Sequence, residues 1–191
     1  MIKLRYALIP VLLIGMSLKG YGQDNHLIKR NIPKSPQEIL VLDSAINLYQ
    51  AGDFYIAGQP DVVTFRKLLD QNLGLVINIR TPQEMDALKN DGFDEEAVLD
   101  SLHLPYVNIP IGGDAGFTSE AIQEINDAIK QHQGEVMIHC RGAGRATNAW
   151  IAWLINYKDV PVNDAVALGR KMQFSLYLED LLGYELSFGK P

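Results

Sequence analysis

The amino-acid sequence predicts an α/β domain with a central, mostly parallel sheet that is flanked by helices. Short apolar runs alternate with helical patterns over about 130 residues, which is typical of a parallel sheet with helices on both faces. One run, residues 75–79, is continuous and rich in β-branched residues, as expected of a strand covered on both faces. The chain has 191 residues, 47% of them hydrophobic, which suits one domain with a core better than two.

The N-terminal residues have the three-part pattern of a secretory signal peptide. Lys3 and Arg5 precede an apolar stretch over residues 6–16, and small and polar residues follow. This stretch is shorter than the ~20 residues that an ordinary membrane-spanning helix needs. We therefore expect a signal peptide over residues 1–22, cleavage after Gly22, and an exported protein that is periplasmic or secreted. An uncleaved anchor and a buried helix are the alternative interpretations.

Charge narrows the range of partners. The sequence carries 17 basic and 23 acidic residues, and removal of residues 1–22 takes away three basic residues and no acidic one, which leaves a formal charge of −9. Such a surface repels phosphate backbones and anionic lipids, so we expect no nucleic-acid partner and no stable membrane insertion after cleavage. A small anionic or phosphorylated substrate, held in a local positive pocket, is compatible with this charge.

We divide the mature chain into an N-terminal arm, one domain and a short tail. The arm covers residues 23–53, and a short amphipathic segment is expected within residues 37–54. The domain covers residues 54–182 and the tail covers residues 183–191. The domain opens with a strand at Phe54 that ends in a Gly-Gln-Pro turn.

The remaining elements follow from apolar periodicity and from helix start and stop signals. Pro60 suits the first turn of a helix, and Gly74 suits its end. Thr81 before Pro82 starts a second helix, and Thr118 or Ser119 starts a later one. The predicted helices cover residues 61–73, 82–90, 95–102, 120–132, 145–157 and 163–172, with a weaker helical tail to residue 182. The further predicted strands cover residues 75–79, 105–111 and 135–139.

Cys140 is the only cysteine in the chain, and it follows the strand at residues 135–139. Exported proteins usually contain cysteines in pairs that form disulfides. A single cysteine cannot form a disulfide within the chain. Cys140 is therefore either a small buried hydrophobic residue or a thiol that takes part in chemistry.

The residues after Cys140 favour the chemical role. In open α/β sheets, ligands bind where a strand turns into a helix, and Cys140 lies at such a turn. Gly142 and Gly144 let backbone amides point inward, and the following helix N-terminus favours both a bound anion and the thiolate form of Cys140. Arg145 offers a planar, bidentate guanidinium to an oxyanion. The residues expected to contact substrate are Arg141, Gly142, Ala143, Gly144 and Arg145.

The His139-Cys140 pair, the glycine-containing loop and Arg145 resemble the signature H-C-x-x-G-x-x-R-[ST] of the cysteine-dependent (tyrosine/dual-specificity) protein phosphatase superfamily. The sequence is more similar still to the bacterial group of beta-lactamase hydrolase-like, phosphatase-like domains. Residues 54–174 carry the shared pieces in order: Gly58-Gln59-Pro60, "VINIR" ending at Arg80, "IPI", and the Cys140 loop. The resemblance implies a phosphatase-like fold, a catalytic Cys140 that forms a phosphocysteine, an oxyanion-binding Arg145, and no cofactor.

The loop departs from the superfamily signature. Four residues separate Cys140 from Arg145 where the signature has five, and Ala143 stands where it has glycine. Ala146 follows the arginine where a Ser or Thr helps the thiolate leave, and Thr147 comes one place late. Four-residue loops also occur in rhodanese-type sulfurtransferases, which carry sulfur as a cysteine persulfide. Three hypotheses are therefore open: a phosphatase, which we favour, a sulfurtransferase, and a module that binds oxyanions without turnover.

Asp114 lies 26 residues before Cys140, in the loop "GGDAGF". In the phosphatases a loop aspartate near this place donates a proton to the leaving oxygen, so the resemblance implies that Asp114 is the general acid. An ordinary turn aspartate is the alternative. His139 and Thr147 are expected to support the loop, and Arg80 either lines the pocket mouth or is an exposed charge. The other histidines lack the spacing of metal ligands, so we expect no metal site.

Overall fold

The computed structural model describes residues 29–174 and 178–185, and it confirms the predicted α/β class. The signal peptide predicted over residues 1–22 lies outside the described residues. Within them, the strands are β1 (Leu40–Asp43), β2 (Leu48–Ala51), β3 (Phe54–Ala57), β4 (Leu73–Asn78), β5 (Tyr106–Asn108) and β6 (Glu135–His139). The helices are α1 (Val62–Leu69), α2 (Pro82–Asn90), α3 (Glu95–Ser101), α4 (Ser119–Gln131), α5 (Gly144–Lys158), α6 (Val162–Arg170) and α7 (Leu178–Leu182).

The strands form one sheet with the order β1-β2-β3-β6-β4-β5. β1, β2 and β3 pair in antiparallel fashion, whereas β3, β6, β4 and β5 are parallel to one another. The four parallel strands therefore end at the same edge of the sheet. The loops that follow them, which begin near residues 58, 79, 109 and 140, meet at this edge.

The segment predicted as an N-terminal arm contributes β1 and β2 to the sheet. Both strands lie where the sequence predicted a short amphipathic segment, and β2 pairs with β3 through Ala51 opposite Phe54. All four residues of β1 are exposed, among them Leu40 and Val41. A strand at the edge of a sheet with no buried face lacks the alternation that identifies a strand from sequence, which explains the different prediction.

Side-chain caps begin two helices where the sequence predicted their starts. Thr81 and Glu84 form a reciprocal capping box at the start of α2. Thr118 Oγ1 accepts a hydrogen bond from Ala121 N at 3.3 Å at the start of α4. These caps satisfy backbone N–H groups that have no partner within the helix, and they fix the directions in which α2 and α4 leave the edge.

Gly74 lies inside β4 and does not end α1, so this part of the prediction is wrong. α1 already ends at Leu69. A Cβ atom on residue 74 would lie 1.9 Å from the carbonyl oxygen of Gln133. Glycine here permits a close approach of two backbone segments, and the sequence alone does not separate this role from helix termination.

The sheet separates two apolar cores. The core between the sheet and helices α4 to α7 contains the fully buried Trp150 and Trp153, whose rings contact Phe54. The core between the sheet and helices α1 and α3 contains Tyr55 and Phe65. Successive residues of β3 thus face opposite cores, which is why this strand is continuously apolar. In the described part of the chain, no helix has the length and apolar character needed to cross a membrane.

Arg30, near the first described residue, binds carbonyl groups at the C-terminus of α4. These groups lie at the end of the sheet where β6 begins, away from the Cys140 loop. Arg30 is 7% exposed. Its Nη2 donates to the carbonyl oxygens of Ile129 at 3.1 Å and His132 at 2.6 Å, and its Nη1 donates to the carbonyl of Gly134. The guanidinium therefore caps the C-terminus of α4, where carbonyl groups have no partner within the helix.

The Arg30→Met protein should have a free energy of unfolding about 2–3 kcal/mol lower than the wild type, because carbonyl groups at the end of α4 lose charged donors while remaining shielded from water. Denaturant unfolding followed by circular dichroism measures this difference. Lys29→Met, at the exposed neighbouring position, is the control and should change the value by less than about 0.5 kcal/mol. Equal stability of the two variants would contradict a capping role for Arg30.

Candidate active site

Cys140 lies at the centre of the edge where the parallel strands end. It directly follows β6, which lies between β3 and β4. Its backbone N–H donates to the carbonyl of Ala57 at 3.2 Å, so the first residue of the loop continues the pairing with β3. Cys140 is 2% exposed and its thiol is free. The loop then passes directly into α5 at Gly144.

The loop enters α5 through a residue in the left-handed conformation. Ala143 has φ 71° and ψ −21° and is the N-cap of α5, without a side-chain hydrogen bond. An alanine in this conformation costs roughly 1–2 kcal/mol, whereas glycine adopts it without a steric penalty. This is the position at which the superfamily signature has glycine. Gly142, one residue earlier, is exposed and borders open space, so the loop is accessible from solvent there.

Arg145, in the first turn of α5, is held between helix α2 and the loop after β5. Its Nη1 donates to the carbonyl of Ile111 at 2.8 Å, and its Nη2 donates to Glu84 Oε1 at 2.7 Å. Glu84 is itself fixed by the capping box, in which its Oε2 accepts from Thr81 N at 3.0 Å. The first turn of α2 and the loop after β5 therefore set the orientation of the guanidinium.

The surroundings of Arg145 keep the pair with Glu84 charged and place the guanidinium beside Cys140. Burial alone lowers the pKa of Arg145, but its interactions with Glu84 and Cys140 outweigh burial and raise it. Burial likewise raises the pKa of Glu84, yet hydrogen bonds from Arg145 and Thr81 hold it below its usual range. A guanidinium fixed in this way keeps further N–H groups, which are of the kind that bind oxyanions.

The loop after β5 packs against Arg145 and carries Asp114. A Cβ atom on Gly112 would lie 3.5 Å from Nη1 of Arg145. Gly112 has φ 99° and Gly113 has φ 57°, backbone conformations that favour glycine. Asp114 follows in a single 3-10 turn and is exposed to solvent. The loop thus brings Asp114 to the exposed rim of the edge that holds Cys140 and Arg145.

A buried carboxylate, that of Glu95, joins the ends of three strands next to the Cys140 loop. Glu95 is 1% exposed and is the first residue of α3. Its Oε1 accepts hydrogen bonds from His139 Nε2 at 3.0 Å and Asn78 Nδ2 at 2.8 Å. Its Oε2 accepts from Gln59 Nε2 at 2.5 Å. These donors are the last residues of β6 and β4 and the second residue after β3.

The donors around Glu95 keep it ionised in the interior. Burial raises the pKa of Glu95, but attraction to His139 and hydrogen bonds from His139, Gln59 and Asn78 outweigh burial and lower it below its usual range. A buried carboxyl group without such partners would be protonated instead. His139 therefore belongs to a hydrogen-bonded network around a buried negative charge. Its Nδ1 is buried without a hydrogen-bond partner among the described residues.

The Gly58-Gln59-Pro60 turn connects this network to the Cys140 loop. Gly58 forms an antiparallel bridge with Gly142, and the backbone N–H of Gln59 donates to the carbonyl of Arg141 at 3.2 Å. A Cβ atom on Gly58 would lie 2.6 Å from the carbonyl oxygen of Ile46, so only glycine fits without a backbone shift. The turn therefore holds the Cys140 loop from the side of β3.

Arg80 connects the Glu95 network to the residues that hold Arg145. Its Nη1 donates to Gln59 Oε1 at 2.5 Å, and its Nη2 donates to the carbonyl of Glu84 at 3.1 Å. Arg80 is 6% exposed, so the alternative that it is an exposed charge is wrong. Its guanidinium is hydrogen-bonded to protein groups, and it lines a cavity together with Arg141 of the Cys140 loop.

Thr147 lies in the interior of α5, one helical turn after Ala143. Its backbone N–H donates to the carbonyl of Ala143 at 2.8 Å, and it is fully buried. Its Oγ1 has no hydrogen-bond partner within the part of the chain that the structure describes. Among these same residues, no three His, Cys, Asp or Glu side chains are grouped so that they could hold a metal ion.

The sequence analysis missed Glu84, Glu95 and Asn78. The only signal for Glu84 is its position three residues after Thr81, which indicates a capping box but no contact with Arg145. Glu95 carries no signal of burial, because acidic residues in the first turn of a helix are usually exposed and interact with the helix dipole. Asn78 is the one polar residue within the otherwise apolar run over residues 75–79, and it is the local hint of a network at the strand ends.

Neither a protein-family model nor a curated protein matches the chain, whereas solved structures do. A candidate DUF442 phosphatase from Shewanella putrefaciens is 21% identical, with 66% of this chain and 76% of that chain covered and a TM-score of 0.51. TpbA of P. aeruginosa, solved in complex with pTyr, is 18% identical, with 74% and 80% covered and a TM-score of 0.53. PTPMT1, solved in complex with PI(5)P, is 17% identical, with 68% and 88% covered and a TM-score of 0.55.

The chain has the fold of the cysteine-dependent phosphatases. The superfamily resemblance seen at Cys140 and Arg145 is thereby confirmed for the fold. Identities between 17% and 21% establish the fold alone. The closer resemblance, to the beta-lactamase hydrolase-like group, stays a prediction, and so do the roles of the individual site residues.

The Glu95→Gln protein should be about 3 kcal/mol less stable than the wild type at pH 7, because the substitution breaks a buried charged network. The lowered pKa of Glu95 contributes stability that is present above the pKa of the unfolded chain and is lost as the pH falls through the folded value. The difference between wild type and variant should therefore shrink below about pH 4.5. Denaturant unfolding across a pH series measures it.

Glu96→Gln is the matched control, because Glu96 is the exposed neighbour of Glu95 in the same helix turn. It should leave stability within about 0.5 kcal/mol of the wild type at every pH. A Glu95→Gln difference that stays constant from neutral to acidic pH would show that the buried group is not an ionised carboxylate.

Proposed function

We propose that the protein is a cysteine-dependent phosphatase that hydrolyses a small phosphate monoester through a phosphocysteine on Cys140. The orientation of Arg145 is the observation that supports this proposal most strongly. The guanidinium is fixed by Ile111 and Glu84 and interacts with Cys140. An oriented guanidinium beside a thiol at a helix N-terminus suits a phosphoryl group, whose oxygens it binds while the thiolate attacks phosphorus.

In the first step, the Cys140 thiolate attacks phosphorus and the ester oxygen leaves. Arg145 and the backbone amides of residues 141–144 hold the non-bridging oxygens, and the charge that builds up on them is stabilised by donors already in place. The Asp114 carboxyl group gives its proton to the leaving alkoxide or phenoxide. The products are an alcohol or phenol, a phosphocysteine and an ionised Asp114.

In the second step, water attacks the phosphocysteine and gives up a proton to Asp114, which now acts as a base. Phosphate leaves, and the Cys140 thiolate and the protonated Asp114 are restored. The loop after β5 suits this role of Asp114, because its positive-φ glycines lie between Arg145 and the aspartate and allow the exposed turn to approach a bound ester.

The second candidate function is sulfur transfer through a persulfide on Cys140. It is favoured by the four-residue spacing between Cys140 and Arg145, which is the loop length of rhodanese-type enzymes. Sulfur transfer from thiosulfate expels sulfite, which needs no proton from an acid. A role for Asp114 in turnover therefore distinguishes the two chemistries.

Purified protein without residues 1–22 should hydrolyse aryl phosphates and should not transfer sulfur from thiosulfate to cyanide. Asp114→Asn should slow turnover of phenyl phosphate about 10²–10⁴-fold, the usual contribution of general acid catalysis. The effect should be smaller for nitrophenyl phosphate, because its leaving group needs little protonation. Initial rates with both esters, measured side by side with the thiosulfate assay, provide this comparison.

Asp164→Asn, at an exposed acidic position on α6, is the control for a general loss of charge and should leave both rates unchanged. Cys140→Ser should abolish turnover of both esters. Thiosulfate:cyanide transfer that Asp114→Asn leaves intact, together with no ester hydrolysis, would replace the phosphatase by the sulfurtransferase. Phosphate binding without either activity would leave only an oxyanion-binding module.

A further inference from the structure

An open groove of about 480 Å³ leads away from the Cys140 loop along α2. At the loop its wall is formed by Gln59 and Arg141, and Glu84, which holds Arg145, lines the same end. The groove therefore begins at the wall of the proposed phosphate site. Ala87 and Leu88 continue it along α2 and give it an apolar side.

Arg141 is the cation in this groove that no described protein group neutralises. Its carbonyl accepts from Gln59 N, which fixes its backbone, but its exposed side chain has no hydrogen bond or ion pair with any described residue. Arg80, which also lines the groove, is engaged by Gln59 and Glu84. The carboxylate of Glu84 is in turn engaged by Arg145, so it does not cancel the charge of Arg141.

The charge pattern of the groove favours an anion at one end only. Asp91 closes the far end, at the C-terminus of α2, and repels negative charge there. A negative group on a ligand is therefore attracted to the end that adjoins the Cys140 loop. An exposed arginine is often merely solvated, but Arg141 directly follows Cys140 in a chain with a net charge of −6, and it lines a groove continuous with the candidate site.

We propose that the Arg141 side chain forms a second anion-binding site, and that the ligand is a phosphate monoester that carries another negative group on its alcohol or phenol portion. The inference rests on the proposed function for the position of the first phosphate. The guanidinium of Arg141 binds the second group, and the apolar wall of Ala87 and Leu88 accommodates the part that joins the two charges.

The test compares two ligands of the same shape, meta-carboxyphenyl phosphate and meta-carbamoylphenyl phosphate. Only the first carries a second negative charge. Calorimetric titration of the Cys140→Ser protein, which binds without turnover, should give a dissociation constant roughly three- to fivefold lower for the carboxyl ligand, the range of a partly exposed ion pair. This preference should fall as salt is raised from about 0.05 to 0.5 M, because exposed charges are screened.

The Arg141→Met substitution, made in the Cys140→Ser background, should abolish the preference. The ratio of the two constants is the readout, so a general change in phosphate affinity cancels. Arg170→Met, which removes an exposed arginine outside the groove, is the matched control and should keep the preference. Equal binding of the two ligands before substitution, or a preference that survives Arg141→Met, would overturn the inference.

Turnover by the wild type separates this inference from the proposed function. A preference for the carboxyl ligand that depends on Arg141, without hydrolysis of either ligand, would support the second anion-binding site and contradict the phosphatase. Hydrolysis of both ligands without any preference in binding would support the phosphatase and contradict the second anion-binding site. If neither ligand binds, both the phosphatase and the second anion-binding site are contradicted.

Discussion

The buried carboxylate of Glu95 is the group on which the arrangement of the candidate site depends. It accepts hydrogen bonds from Gln59, Asn78 and His139, which lie where β3, β4 and β6 end. A carboxylate in the interior is tolerated only when such donors surround it. A buried donor at a strand end likewise costs free energy when it has no acceptor. The three strand ends are therefore tied together by one charge, and Cys140 follows the central strand of the three.

A continuous chain of contacts leads from Glu95 to Arg145. Gln59 joins Glu95 to Arg80, Arg80 bonds to the backbone of Glu84, and the Glu84 carboxylate orients Arg145 beside Cys140. The position of the Arg145 guanidinium beside Cys140 is thus set by protein side chains, an arrangement that suits the proposed phosphate site, because such a site is organised before its ligand arrives. The turn that carries Asp114 and the side chain of Arg141 lie outside this chain of contacts and are exposed to solvent.

The sequence predicted those features that depend on contiguous residues. The α/β alternation and the start of α2 at Thr81 follow from local periodicity and capping. Cys140 and Arg145 lie within one segment of six residues, so the sequence itself predicts that they belong to one site. β1 was not predicted, because an exposed edge strand has no buried face and so lacks the alternation of apolar and polar residues. The contacts of Glu84 and Glu95 were not predicted, because their partners are distant in sequence. Whether an acidic residue is buried depends on how the strands come together in the fold.

The most direct test of the central claim is to identify the group that Cys140 carries during turnover. The protein is mixed with nitrophenyl phosphate or with thiosulfate, denatured in acid within milliseconds to seconds, digested and examined by mass spectrometry. The account predicts a phosphoryl group on the Cys140 peptide with nitrophenyl phosphate, and none when Arg145 is replaced by lysine, which lacks the bidentate guanidinium. A persulfide on the same peptide with thiosulfate, and no phosphoryl group with the ester, would contradict it.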